Sequence, residues 1–219
     1  MDPNTKSLEG NYPIFIFMIN NKMEWHNKSK NIKMIANELL VRKEVFPMTV
    51  ERFVRESRTF KASHVLPPDT NNHNTLFGGR LMAHIDDVAA ISAMKHARGP
   101  VVTASTDSVD FLQPIRVDNE VSLEAFVTWS HKTSMEVFVK IVAEDLLTGI
   151  RTVCATSFLT FVAIGEDGRP TTVPQVVPET AEEIFLHDGA AERAEARKLR
   201  RTRSKHLADL LGTRRPWEP

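Results

Sequence analysis

From Gly78 to Ala97 the chain is mostly apolar and, beyond Gly79, free of helix breakers, so it reads as one long helix that the rest of the fold must bury. At about 3.6 residues per turn, Arg80, His84, Asp87, Lys95 and Arg98 fall on one stripe, broken only by Ile91, that can face water. Asp86 lies off that stripe. It shares a face with Gly79, Met82, Ala90, Ala93 and Ala97, mostly small residues that permit close approach. A carboxylate there is costly to desolvate unless it is paired or used. Asp86 is therefore a candidate catalytic group, the alternative being a boundary carboxylate that reaches solvent or an ion pair. Gly78 and Gly79 leave the first-turn N–H groups uncovered at the positive end of the helix dipole, where an oxygen carrying negative charge is stabilised. Asp86 is about two turns further in, roughly 10 Å along the axis.

The remaining chain supplies strands. Thr59 to Val65 alternates, and after Pro100 four strand-like runs follow: Val101 to Phe111, Val121 to Trp129, Ser134 to Ala143 and Arg151 to Ile164. Turn signals separate them at Val117 to Glu120, Ser130 to Thr133 and Leu147 to Gly149. The predicted order is strand, long helix, then a four-strand antiparallel meander that curls around the helix. The polar loop from Pro67 to Thr75 feeds the helix start, and such loops are good places for site residues, although turn-making accounts for most Asn residues in them. His64 and His73 show no metal-ligand spacing, and no metal is expected. Pro170, Pro174 and Pro178 mark a linker, beyond which Glu179 to Leu211 reads as one charged helix. It is acidic at its start and basic from Arg193 to Lys205, as the dipole favours. The run Arg197 to Arg203 could meet a polyphosphate, with a solvated, partly frayed tail as the simpler expectation.

Formal net charge is zero and 42% of the residues are hydrophobic, so nothing global points to nucleic acid or an anionic membrane. The single cysteine, Cys154, excludes an internal disulfide framework and suits a reducing compartment as a buried small hydrophobe. No run approaches the ~18 apolar residues of a membrane helix, and the early apolar run Pro13 to Ile19 lacks signal-peptide flanks. A cytoplasmic location is expected. Met1 to Pro47 is rich in Asn and Lys, with at most a helical turn or two in Asn31 to Val41. It reads as an extension that is either flexible or untranslated. Arg42-Lys43-Glu44-Val45 can be encoded by a purine-rich ribosome-binding sequence, and Met48 would then be the natural start.

Asp69-Thr70-Asn71, Leu76 to Met82 and Ile85-Asp86 together resemble the signature of bacterial acyl-CoA thioesterases of the hotdog fold. Val101 to Ser105, Lys132 to Val137, Leu147 to Gly149 and Phe158 to Ala163 extend the match, which covers roughly Glu56 to Pro178. The resemblance implies an α+β hotdog domain over 48–178, a curled antiparallel β-sheet wrapped around one long central α-helix. A C-terminal charged helix over 179–219 follows it. It also implies dimers joined edge to edge, commonly assembled as homohexameric trimers of dimers, with the active site between protomers. By the same resemblance Asp86 is catalytic, as general base or as nucleophile, and Asn71 contributes from the facing protomer. Gly78 and Gly79 would stabilise the oxyanion as an acyl-CoA is hydrolysed to free fatty acid and coenzyme A. Thr103, Ala104 and Ser105, with Lys132, Thr133 and Ser134, would lie along the coenzyme A path, with Lys132 or Arg169 available for phosphate. Coenzyme A is part of the substrate, and no separate cofactor, nucleic-acid partner or membrane is expected. Two departures stand out: Asn74 occupies a position where many relatives carry Gly, and the N-terminal extension has no counterpart. The alternative function is a non-catalytic acyl-CoA-binding hotdog regulator, against which Asp86 and Asn71 argue. A hotdog hydratase is a third reading, disfavoured because neither His84 nor His96 is well placed as its base.

Overall fold

The computed structural model describes residues 50–213 together with Arg215 and Trp217. The extension Met1 to Pro47, its helical turn and the start at Met48 lie outside the described residues. A short strand β1 (Glu51–Phe53) leads through a one-turn helix α1 (Val54–Ser57) into β2 (Thr59–His64). The long helix α2 spans Gly78–Ala97, as its sequence predicts. It ends where Arg98 takes a left-handed conformation, φ +55°, and returns its N–H to the Met94 carbonyl at 2.8 Å. Strands β3 (Val101–Phe111), β4 (Asn119–Ser130), β5 (Ser134–Asp145) and β6 (Arg151–Ala163) follow, then β7 (Gln175–Val177), α3 (Ala181–Asp188) and α4 (Ala190–Leu211).

The sheet order is β2-β4-β5-β6-β3. Strands β4, β5 and β6 form an antiparallel meander, as expected, but β3 does not begin it. Because β2 already occupies the open edge of β4, pairing through six residues from Thr59 opposite Ala125 to His64 opposite Glu120, β3 crosses to the far edge and pairs with β6. The connection from Leu112 to Asp118, with Ile115 buried in the core, makes that crossing, turning at Asp118 with φ +66°. The β5–β6 hairpin closes where Gly149 adopts φ +72°, a conformation that glycine takes at little cost, while the Asp145 carboxylate accepts from the N–H groups of Leu147 and Thr148. A separate two-stranded pair joins β1 and β7 in parallel.

Helix α2 buries Leu81, Ile85, Val88, Ala89, Ser92, Ala93 and His96 in the curl of the sheet. They meet the inward residues of the strands, among them Leu123, Ala125, Val127, Val137, Val139, Ile141, Leu159 and Phe161, all 0–1% exposed. Cys154 is part of this core.

The outward face of the sheet is also covered. Glu179 to Leu211 is not one helix: it breaks at Gly189, which caps α3 and opens α4. Thr180 and Glu183 form a capping box at the start of α3, and Glu183 also receives the Arg58 guanidinium at 2.6 Å. The basic part is exposed from Lys198 onward, as expected of a solvated segment, but it is fastened to the sheet through Arg193, Arg197 and Arg200. Arg193 lies 4.3 Å over the Phe158 ring and donates to Glu136, a fully buried carboxylate on the outward face of β5. Opposite charges on distant segments thus seat α4 on the sheet, a pairing that neither local pattern reveals.

Candidate active site

The loop before α2 is built from its own side chains. The Asn71 amide oxygen accepts from His73 N at 2.8 Å and Thr75 N at 3.4 Å, while its amide NH2 donates to Thr75 Oγ1 at 3.0 Å. This is the Asx-turn chemistry expected of the loop, here at the candidate site residue itself. Asn74 supplies the left-handed residue, φ +56°, which Asn tolerates better than other non-glycine residues. That explains how Asn can stand where a glycine would serve. Arg80 bonds Asp69 through Nε at 3.0 Å, fastening the loop to the first turn of the helix.

No side chain caps the start of α2. Gly78 and Asn71 line one cavity of about 340 Å³, walled by Leu76, Leu81, Phe111 and Pro114. The Phe111 ring would lie 3.5 Å from a Cβ on Gly78. Gly79 faces a different groove with Asp69 and Arg80. A Cβ on Gly79 would come within 2.6 Å of the Phe77 ring, so glycine is what lets that ring fold across the helix start. The two glycines are therefore divided between neighbouring concavities.

Asp86 is exposed within the protomer, which corrects its expected sheltered position. Its face is uncovered only toward the helix start, where Met82 is 48% exposed, while Ala93 further along is fully buried. The Asp86 carboxylate accepts a 2.9 Å hydrogen bond from Thr103 Oγ1 on β3. Thr103, expected on the coenzyme A path, thus touches the candidate catalytic carboxylate. Asp86 lies outside the lining of the Asn71–Gly78 cavity.

Of the other residues on the expected coenzyme A path, Ala104, Ser105, Thr133 and Ser134 are brought together in a second cleft of about 550 Å³. Lys132 and Arg169 are exposed and do not line it. The opposite wall is α4, whose residues Arg197, Lys198, Arg200, Arg201 and Ser204 face the cleft. Two register shifts in β3, between Thr103 and Ser105 and between Thr106 and Ser108, interrupt its alternation and place Asp107 beneath this wall. Arg197 reaches Asp107 at 2.6 Å and Arg200 bonds the Asp107 carboxylate as well as Ser105 Oγ, the latter at 2.8 Å. Burial pushes the Asp107 carboxyl up, but bonds from Ser105, Arg197 and Arg200 outweigh it and hold the group below its ordinary range. Asp107, Glu136 and Arg193 escaped the sequence reading. The basic run was visible, but its acidic partners lie on strands far away in the chain.

The thioesterase superfamily model matches residues 73–150. An uncharacterized acyl-CoA thioester hydrolase of Bacillus subtilis is 58% identical over 166 residues, 76% of this chain and 96% of that protein. An acyl-CoA hydrolase of Staphylococcus aureus, solved in complex with butyryl coenzyme A, coenzyme A and coenzyme A disulfide, is 46% identical with TM-score 0.72. That match covers 74% of this chain and 99% of the other. Alanine variants of the same hydrolase at an aspartate, an asparagine and a threonine superpose with TM-scores of 0.71–0.72. A hexameric acyl-CoA thioesterase in its apo form is 51% identical, with TM-score 0.68 over 69% of this chain and 97% of that one. With the sheet curled around α2 and relatives this similar along nearly their whole lengths, the chain belongs to the thioesterase superfamily and has its hotdog fold.

Proposed function

We propose that this protein hydrolyses acyl-CoA thioesters to a carboxylic acid and coenzyme A, at sites shared between two copies of the chain. The observation that carries this reading is the exposed Asp86 carboxylate, held by Thr103 yet two turns away from the helix start that could stabilise an oxyanion. A carbonyl oxygen within hydrogen-bond reach of the Gly78 N–H, about 3 Å, is too far from Asp86 of the same helix, roughly 10 Å along the axis. That span is too long for one bond but suits a substrate held between the two groups, and in our reading Asp86 and Thr103 of one chain face the Asn71–Gly78 cavity of another.

Strand β3 is an edge of the sheet, and Phe77, Phe111 and Leu112 around the helix start are 54–58% exposed. An open edge beside apolar surface is where a second copy would pair, and the hexameric neighbour supports assembly of this kind. Further support comes from the S. aureus hydrolase. The aspartate, asparagine and threonine altered there keep the order and spacing along the chain of Asp86, Asn71 and Thr103.

In this reading the thioester carbonyl points at the start of α2, where uncovered N–H groups and the helix dipole stabilise the developing oxyanion. Asp86 takes the proton from an attacking water, or attacks the carbonyl itself to form an anhydride that water opens. Either way the C–S bond breaks and coenzyme A leaves as the thiol. Asn71 shapes the loop that walls the cavity. Coenzyme A arrives as part of the substrate, so no separate cofactor enters the mechanism. Thiol release from a panel of acyl-CoA esters tests this: the wild type is expected to hydrolyse at least one chain length and Asp86→Ala to lose about a hundredfold or more while keeping its assembly state. Binding of acyl-CoA without thiol release by the wild type would favour the non-catalytic regulator instead.

A further inference from the structure

Helix α4 turns Arg193, Ala194 and Arg197 toward the sheet, where they are partly buried. On the side away from the sheet it shows solvent a second stripe, made at about 3.6 residues per turn by Glu192, Glu195, Leu199, Arg203 and His206, all exposed. Leu199, at the centre, is 53% exposed. Glu195 has only a loose 3.8 Å contact with Lys198, and Glu192, Arg203 and His206 have no hydrogen-bond or ion-pair partner among the described residues.

The stripe is symmetric about Leu199. Glu195 and Arg203 stand four residues to either side of it, and Glu192 and His206 stand seven residues to either side. Within one helix this order gains little. Glu192 and Glu195, one turn apart, repel each other, as do Arg200 and Arg203. The helix dipole acts on the first and last turns, which include Glu192 but neither Glu195 nor Arg203. Against an identical helix running the other way, the order fits. A two-fold axis beside Leu199 sets the two leucines against each other, Glu195 of each copy beside Arg203 of the other, and Glu192 beside His206. Acidic residues then meet basic ones on both halves of the pair, the self-complementarity that a two-fold contact requires. Parallel pairing would instead set Glu195 against Glu195 and Arg203 against Arg203. Ala196 and Thr202, exposed on either flank of Leu199, are small enough for the axes to approach to about 8–10 Å.

We propose that the outward stripe of α4 is an interaction surface for α4 of a second copy of this chain, paired antiparallel about Leu199 through Glu195 and Arg203. The stripe is far smaller than the roughly 20–30 residues a side of a standard interface, so its place is to join copies that other contacts already hold. Added to a two-fold contact at the β3 edge, it links pairs of chains into a larger assembly. The pairing rests on α4 alone, not on the hydrolase reading.

The test measures the mass of the full-length protein by sedimentation equilibrium at several concentrations. Wild type is compared with Glu195→Arg, with Arg203→Glu and with the double exchange, and urea midpoints are measured alongside. Each single reversal sets like charges together at two places in the pair. The single variants are therefore expected to fall to a smaller species than the wild type, with association at least about tenfold weaker. The double exchange restores both attractions and is expected to regain the wild-type mass. Single variants that sediment as the wild type does overturn the proposal, and so does a double exchange that stays dissociated. A second readout locates the contact. A short bismaleimide is expected to join Leu199→Cys into covalent pairs but not Lys205→Cys, on another side of the helix, while the native Cys154 is buried. Equal cross-linking of the two variants, or of neither, overturns the proposal. Neither readout depends on thiol release, so the pairing and the hydrolase reading can fail separately.

Discussion

Thr103 and Asp86 illustrate how one hydrogen bond can redirect the reading of a residue. Strand alternation makes Thr103 an ordinary β-branched residue, yet its hydroxyl is 2.9 Å from the Asp86 carboxylate. Removing that donor while keeping the shape, in Thr103→Val, forfeits about 1–1.5 kcal/mol of orientation. We expect kcat to fall about tenfold in a thiol-release assay, with the urea midpoint nearly unchanged because both groups are exposed. At this scale the sequence was informative where chemistry is local. The Asn-rich loop announced its turn-making, and Asn74 in fact carries the positive φ that a glycine would otherwise supply. It was silent about Asp107 and Glu136, whose partners Arg197 and Arg193 come from another segment altogether.

Secondary-structure elements were legible because their signals are periodic and short-range. Helix α2 and strand β3 have the bounds their patterns predict. The pairing order was not legible, since a strand's alternation says which face is apolar and nothing about which neighbour it joins. The seating of α4 was hidden for the same reason. It leads to a prediction: Arg193→Ala leaves the 0%-exposed Glu136, among the described residues, with Arg197 at 3.4 Å and the Thr128 hydroxyl at 2.8 Å. The expected cost is roughly 3 kcal/mol in urea unfolding, the low end for breaking a buried pair, and replacing Glu136 and Arg193 together by Met should cost less than the single change.

The far end of α2 carries a second prediction. His96 is fully buried, its Nε2 donating to the Pro174 carbonyl at 3.0 Å while Nδ1 has no partner among the described residues. Burial pushes its pKa down and Arg52 adds to this, against the opposing influence of the Pro174 carbonyl and Glu56. The unfolded chain therefore takes up a proton at higher pH than the folded one. The contribution of His96 to stability is complete above its ordinary value of 6.5 and is lost as pH falls from there toward the lowered folded value. Urea midpoints at pH 7.5 and 5.5 should show the fall, and His96→Gln, which can still donate to the carbonyl, should show less of it.

For the molecule as a whole, the proposal of a site shared between chains makes a prediction that a site within one chain cannot. Asp86→Ala and Asn71→Ala are each expected to be nearly inactive alone. When the two are co-expressed, mixed assemblies contain some sites with both residues intact, so thiol release should return to a readily measured fraction of wild type. Co-purified mixtures that remain as inactive as their parents would place Asp86 and Asn71 in the service of the same chain's chemistry. The edge along which two copies would meet is not a straight one. With two residues inserted out of step in β3, at Ala104 and Asp107, the strand bends twice, and its outer hydrogen-bonding groups present an irregular sequence of gaps. If two copies meet along this edge as proposed, the bends that aim Ser105 and Asp107 restrict the pairing to registers in which both chains' kinks can be accommodated, which a flat partner strand would not share.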